Sequence, residues 1–452
     1  MWKTLIRRCV PESVIRVYHY ILARVAAVVY HNPSQKLIVI GVTGTNGKSS
    51  TAQFIGSLLE QMGQLVGWTT TVGFKIGENE WMNNKKMTML GRFQTQRLLR
   101  EMVSAGCRYA IVETSSQGIS QSRHIGIAYD VGVFTNLTPE HIEAHGGFEA
   151  YKKAKGKLFS AISQSPVKVL NGKEIKKATI VNEMDAHAEY FASFGAGDVW
   201  GFGWGGGEDR EDLEDREGKN DVMAMEVEFT GKGTTFRINE IPFTINLIGR
   251  FNFENVLAAM TTCLALGFPL ERLRDAVSTL RGVAGRLEQI EEGQPFLVVV
   301  DYAPEPAALT ATYSAISLFS YKRLIHVLGS TGGGRDVSRR AVLGEMAAKK
   351  ADMMIVTNED PYDDDPEEII NQMADAACAS GKQEGINLFR ILDRLEAIKK
   401  AIQVAEPGDL VLITGKGCEP VMAVAHGRKI SWDDRTVVRE VLRGRSRSNR
   451  SN

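Results

Sequence analysis

The chain has 452 residues, 43% hydrophobic and 24% charged, a size and balance that describe a soluble globular protein of two or three domains. Lysines plus arginines number 54 and so do the acidic residues, and a formal charge of zero gives no support to a nucleic-acid partner. Five cysteines (Cys9, Cys107, Cys263, Cys378, Cys418) stand far apart without a C-x-x-C pair, which suits the reducing cytoplasm and excludes a sequence-evident zinc ribbon.

Residues 1–36 read as an N-terminal helical segment with no signal-peptide pattern. Within it, "ESVIRVYHYILARVAAVVY" (12–30) is apolar but interrupted by Arg16, His19 and Arg24, which argues against a spanning helix. A helix packed on the body and an interfacial anchor in weak contact with a membrane surface both fit. The apolar run "KLIVI" then leads into "GVTGTNGKSS" (41–50), a strand followed by a glycine loop and a helix start. Gly41, Gly44 and Gly47 let the backbone turn and bring its N–H groups near an anion, and Lys48 and Ser49 open a helix whose N-terminus favours negative charge. Position 42 is Val where the common Walker spacing has Gly. Strand, Gly-Lys-Ser and helix in order point to a nucleoside triphosphate rather than a bare turn, with Lys48 on the β/γ-phosphates and Ser49 on Mg²⁺.

Further strand-like runs alternate with helical patterns: "YAIVETS", "VGVFTNLT", "FLVVVDYA", "LIHVLGS", "DMMIVTNED" and "DLVLITGKG". Such alternation predicts an α/β fold with two parallel sheets, and sites at the carboxyl ends of their strands. Between the sheets, 201–220 reads as an exposed loop and 222–247 as β-hairpins. A boundary falls near "RGVAGRLEQI" (281–290), and 441–452 reads as a disordered basic tail. In the helix after "HGG", Tyr151, Ala154, Lys155, Leu158 and Phe159 share one face by the 3.6-residue period. A lysine on an inward face is costly, and on spacing alone a snorkelling or salt-bridged lysine is the simpler account.

"GVTGTNGKSS", "VETSSQGISQSR", "VFTNLTPEHIEAHG", "YKKAKGKLF", "GRFNFENVLAA", "GVAGRLEQI", "VDYAPEPAAL" and "GKGCEP" resemble, in order, the motif series of the Mur ligase family. The likeness is strongest to the branch that adds the third residue of the peptidoglycan stem, and it covers about residues 37–425. It implies a P-loop ATPase central domain (37–284) with a parallel sheet and a Rossmann-like C-terminal α/β domain (285–440). The implied reaction is an ATP-dependent, ADP-forming amide ligation in the cytoplasm. A carboxylate of a nucleotide-sugar peptide acceptor takes the γ-phosphoryl group, and the amine of a free amino acid displaces phosphate from the acyl phosphate.

The resemblance also assigns roles. Gly44, Thr45, Asn46, Gly47, Lys48, Ser49 and Ser50 would bind ATP, with Asn252 and Asn255 on the adenine side and Arg286 and Asp301 from the C-terminal domain. Lys155 would carry a CO₂-derived carbamate and ligate Mg²⁺ with Ser49, Glu113 and His141; Lys48, Lys155, Glu113 and His141 would be the catalytic set. Thr70, Thr71, Ser115, Gln121 and Arg123 would hold the acceptor, and Arg335, Gly415 and Glu419 the incoming amino acid.

Three departures accompany the likeness. The family's N-terminal UDP-binding domain does not precede the phosphate loop here, Pro304 stands where the branch has His, and the selectivity motif D-N-P-R reads Glu359-Asp360-Pro361-Tyr362. With no arginine at 362 and an acidic run over 363–365, a distal ammonium is favoured over the distal carboxylate of diaminopimelate, unless Arg335 supplies a charge or the run is a solvated loop. A poly-γ-glutamyl or other peptide carboxylate as acceptor, and a partner-dependent nucleotide-binding subunit, remain the competing readings.

Overall fold

The computed structural model describes residues 11–139, 145–205, 220–334 and 337–448. The chain divides into two units: one reaches to Glu228 and takes in Gly233–Leu247 and Phe251–Leu280, while the other holds Phe229–Lys232, Ile248–Arg250 and the chain from Arg281 on.

The first unit opens with α1 (Glu12–Val29), β1 (Ile38–Thr43), α2 (Lys48–Gln61), β2 (Val66–Thr69), β3 (Gly73–Ile76), β4 (Asn79–Met82), α3 (Arg92–Ser104), β5 (Tyr109–Glu113) and α4 (Ser116–Ser120). It continues with β6 (Val131–Phe134), α5 (Phe148–Gln164), β7 (Ala178–Asn182), β8 (Asp198–Trp204), β9 (Val222–Thr230), β10 (Gly233–Ile238), β11 (Ile241–Ile245) and α6 (Arg250–Ala265). One sheet runs in the order β11-β10-β9-β8-β7-β6-β1-β5-β2-β3-β4. Its centre is parallel, with Ile40 of β1 opposite Ile111 of β5 and Val131 of β6. All six residues of β1 are buried, which is why this strand reads as an unbroken apolar run rather than an alternation. Lys168 pins the entry to β1: its ammonium donates to the carbonyls of Ser34 (2.8 Å), Leu37 (2.9 Å) and Ala128 (2.6 Å) and to Asp130 (2.7 Å), which also accepts from the Val39 N–H.

In the second unit follow β12 (Glu288–Gln289), β13 (Leu297–Val300), α7 (Pro306–Ile316), β14 (Leu324–Leu328), α8 (Ser338–Lys350), β15 (Met353–Thr357), α9 (Pro366–Ala379), β16 (Leu388–Ile391), α10 (Arg394–Val404), β17 (Leu410–Ile413) and α11 (Asp434–Ser448). Their sheet has the order β12-β13-β17-β14-β15-β16, parallel except at β12. The α/β expectation holds in both units.

Two local expectations do not hold. Residues 201–204 belong to β8 instead of a loop, and 206–219 lie outside the described residues. The basic tail is helical to Ser448, as the last turns of α11. Two of its cations have partners: Arg443 pairs with Glu292 at 2.9 Å, and Arg445 donates to the carbonyls of Ile402 and Ala405 while covering the Phe296 ring. A cation at the end of α10 is favourable there, because the last carbonyls of a helix are otherwise unsatisfied.

Candidate active site

The phosphate loop leaves the carboxyl end of the central strand β1. Gly47 sits at φ 80°, and a Cβ there would overlap the carboxamide oxygen of Asn255, so both backbone angle and space demand glycine. The loop is stapled to the end of β6: the N–H groups of Thr45 and Asn46 donate to the backbone and side-chain oxygens of Asn136, each at 2.8 Å. The Thr45 hydroxyl lies 3.1 Å from that of Tyr151 on α5, and Thr51 donates to Asn255 at 3.1 Å. No side chain caps α2, so its first N–H groups remain turned toward the loop, with Ser49 and Ser50 buried in the first turn. Lys48 folds back onto the Thr45 carbonyl at 2.6 Å. The uncapped N–H groups of α2 offer donors to an anion without reorganising, whereas Lys48 would have to leave the Thr45 carbonyl.

Glu113, at the end of β5, is buried beside this loop. One carboxylate oxygen accepts from the Ser49 hydroxyl (2.7 Å) and the Thr71 N–H (2.6 Å), and the other from the Thr71 hydroxyl (3.0 Å). Lys155 reaches the same loop from α5. Tyr151, Ala154, Lys155, Leu158 and Phe159 are all buried, as the helical period predicts. The Lys155 ammonium donates to the Gly44 carbonyl and lies 4.4 Å from the centre of the Tyr151 ring. No group of three His, Cys, Asp or Glu side chains poised for a metal occurs among the described residues. Ser49 and Glu113 nonetheless present hard oxygens in direct contact, the donor type that Mg²⁺ takes. Mg²⁺ thus fits this corner. His141 lies outside the described residues.

The acceptor candidates divide. Thr71 faces Glu113, whereas the Thr70 hydroxyl is engaged in the β2–β3 turn, donating to the Gly73 carbonyl at 2.9 Å. Ser115 caps α4 by accepting from the Gly118 N–H at 3.2 Å. Arg123 donates to Gln121 Oε1 at 2.6 Å and to the Met89 carbonyl. Arg92, which no motif picks out, donates to the Gln121 carbonyl. Burial, and then the neighbouring Arg92, lower the pKa of Arg123. Two half-buried guanidiniums that share Gln121 suit an anionic ligand. Asn252 and Asn255 are buried on α6, and Asn255 meets the phosphate loop itself.

The second unit gathers its candidates at strand ends. Asp301 follows β13, accepts from the Leu287 N–H (2.6 Å) and the Thr312 hydroxyl (2.9 Å), and has its pKa raised by burial against the opposing pull of Arg286. Arg286 stacks on Tyr302, 4.5 Å from the ring centre. After β15, Asp360 accepts from Lys416 (2.9 Å) and the Ala423 N–H (2.7 Å); Lys416 also donates to Glu419 (2.6 Å) and the Val421 carbonyl (2.8 Å). The acidic run is structural rather than a free negative patch. Asp363 accepts from the His426 N–H, Asp364 pairs with Arg340, and Asp365 caps α9. Tyr362 sits at φ 53° against Gly333, an unusual angle for a bulky residue. Glu359 is different. It is fully buried against Gly415, its Oε2 has no hydrogen-bond partner among the described residues, and burial followed by the adjacent Asp360 pushes its pKa up to about 7. The nearby cations are engaged elsewhere, Arg339 with Glu305 and Arg394 with Asp434. Arg335 lies outside the described residues.

Comparison with known proteins gives two family matches, the Mur ligase middle domain over residues 42–263 and the Mur ligase glutamate ligase domain over 285–417. The chain is 37% identical to a UDP-N-acetylmuramyl-tripeptide synthetase of Roseiflexus sp. (strain RS-1), over 96% of this chain and 84% of that protein. It is 34% identical to a UDP-N-acetylmuramoyl-L-alanyl-D-glutamate–2,6-diaminopimelate ligase of Geobacillus kaustophilus (strain HTA426), over 96% and 85%. Among solved structures, a ligase of the latter description aligns with a TM-score of 0.59 at 30% identity, over 91% of this chain and 79% of that one.

Proposed function

This chain belongs to the Mur ligase family, and on that premise we propose the residues that carry its chemistry and the amino acid it adds. It is an ATP-dependent, ADP-forming amide ligase of peptidoglycan precursor synthesis. The acceptor is a UDP-linked muramoyl dipeptide, and the product is the tripeptide, made in the cytoplasm.

The observation that carries the site assignment is the contact of Ser49, Glu113 and Thr71 beside the phosphate loop, with Lys155 buried against that loop. The loop N–H groups and Lys48 bind the β/γ-phosphates, and Lys48 leaves the Thr45 carbonyl to do so. Lys155 acts as a carbamate: its neutral amine attacks CO₂, a C–N bond forms, and the nitrogen releases a proton. That anion, Ser49, Glu113 and His141 would hold Mg²⁺, whose charge offsets that of the phosphoryl oxygens. Thr71 fixes the orientation of Glu113. Arg92 and Arg123 hold the acceptor's anionic groups, aligned by Gln121 and Ser115. In the second unit Arg286 and Asp301 serve the nucleotide.

For the incoming amine, the departures at 359–362 decide the reading. No guanidinium stands at 362, and the acidic run has internal partners, so one carboxylate oxygen without a partner among the described residues, on Glu359, faces Gly415. In its ionised form that oxygen is satisfied by a cationic side chain and repels a second carboxylate. The amino acid is therefore of the lysine or ornithine class, a departure from the relatives named for diaminopimelate. Mass analysis of the product, formed with equal lysine and diaminopimelate, tests this. Predominant lysine incorporation is expected; predominant diaminopimelate incorporation would overturn the Glu359 reading.

A further inference from the structure

Helix α1 is inverted relative to an ordinary surface helix. Its inward face is small: Ala23, Ala26 and Ala27 are buried as α1 packs on α3. The approach is close, because a Cβ on Gly126 would come within 2.9 Å of Ala27 and 3.0 Å of the Ala23 carbonyl. Its outward face is large and apolar: Val14, Val17, Tyr18, Ile21, Val25 and Val28 are all more than two-fifths exposed, Val28 at 65%. At ~100° per residue these six positions fall within an arc of about 100°, on the side opposite Ala23. An apolar stripe of that length on a helix fixed by its other face calls for a cover.

Charge identifies the cover. The first 30 residues contain Lys3, Arg7, Arg8, Arg16 and Arg24 against Glu12 alone, in a chain whose total charge is zero. Arg24 flanks the stripe and donates to the Tyr20 hydroxyl at 3.2 Å, so a cation and a tyrosine stand at its edge. Helix α1 itself carries Arg16 and Arg24 against Glu12 alone, so a second copy would bring together more cations than carboxylates. A bilayer surface with anionic headgroups matches both features, apolar at the acyl boundary and negative at the rim. No helix among the described residues is long and apolar enough to cross a membrane, so α1 would lie on the surface rather than span it. We infer that the outward face of α1 docks the enzyme on an anionic lipid surface. This does not depend on which acceptor or amino acid the ligase uses.

The test is co-sedimentation of the full chain with phosphatidylcholine vesicles, with and without phosphatidylglycerol. Binding should be at least ~10-fold tighter to the anionic vesicles and weaken with added salt. Ile21→Glu with Val25→Glu should lower it at least ~10-fold, and Arg24→Glu about fivefold or more. Ligation in solution by these variants should match the parent, showing that they are folded. Equal binding to both vesicle types, or unchanged binding by the double variant, would overturn the proposal. So would concentration-dependent dimerisation that the double variant abolishes while the parent ignores vesicles, which would make a second copy the occupant.

Discussion

The phosphate loop of the first unit and the 359–362 loop of the second both leave the ends of parallel strands, yet they hold charge in different ways. In the first, the backbone does most of the work: glycine angles, uncapped N–H groups and carbonyls form the cradle, and side chains close it at short range. In the second, ion pairs fix the loop, with Lys416 joining the distant Asp360 to the neighbouring Glu419. A backbone cradle serves any nucleoside triphosphate. On the proposed reading, the cluster of paired side chains leaves one Glu359 oxygen without a hydrogen-bond partner among the described residues, and that oxygen would set selectivity.

Substitutions can break this contrast. Lys155→Ala carries the largest expected effect, a loss of about 10³-fold in ligation, the upper scale for removing one preorganised electrostatic group. A small carboxylate in the buffer should restore part of it, and full activity without rescue would remove Lys155 from the chemistry. Lys416→Met should cost about 3 kcal/mol of stability, because Asp360 would be left buried without its cation. Urea unfolding reads this, and an unchanged midpoint would mean that the ion pairs do not hold the loop.

Glu359→Gln sharpens the contrast through pH. The folded-state pKa of about 7 lies above the ordinary 4.5 of a glutamate. Below pH 4.5 both folded and unfolded chains hold the proton, so the group contributes no pH dependence. As pH rises to 7 the unfolded chain releases its proton first, and the folded parent loses stability; above 7 the loss is complete. At ~1.4 kcal/mol for each pH unit between those values, the variant should gain on the parent by on the order of 3 kcal/mol between pH 4.5 and 7, then level off. A gain in the opposite direction would show that the carboxylate is stabilised by a cation. Ser115→Ala is the smallest case: loss of the α4 cap should cost about 1 kcal/mol and barely change KM for ATP, measured by steady-state ADP release.

The same contrast explains what was legible in the sequence. The glycine loop, the apolar run of β1 and the inward face of α5 follow from local rules of spacing and period, and the structure forms each one. The contact of Glu113 with Ser49 joins residues 64 apart, and only the resemblance suggested it. Asn136 lies in a quoted motif that gives it no role, and Arg92 lies in none, since their roles arise from neighbours about 90 and 30 residues away along the chain. The acidic run read as a patch because its partners, His426 and Arg340, are invisible to local composition. The tail read as disordered for the same reason, its cations finding Glu292 and the end of α10 only in the fold.

The ligase assignment at the phosphate loop is tested most directly by ADP release. ATP, a UDP-muramoyl dipeptide and a free amino acid are supplied together or one omitted at a time, to the parent and to Lys48→Ala. The account predicts sustained ADP formation only with all three, falling about 100-fold in the variant. ADP formation that ignores the acceptor, or equal turnover in Lys48→Ala, would contradict it.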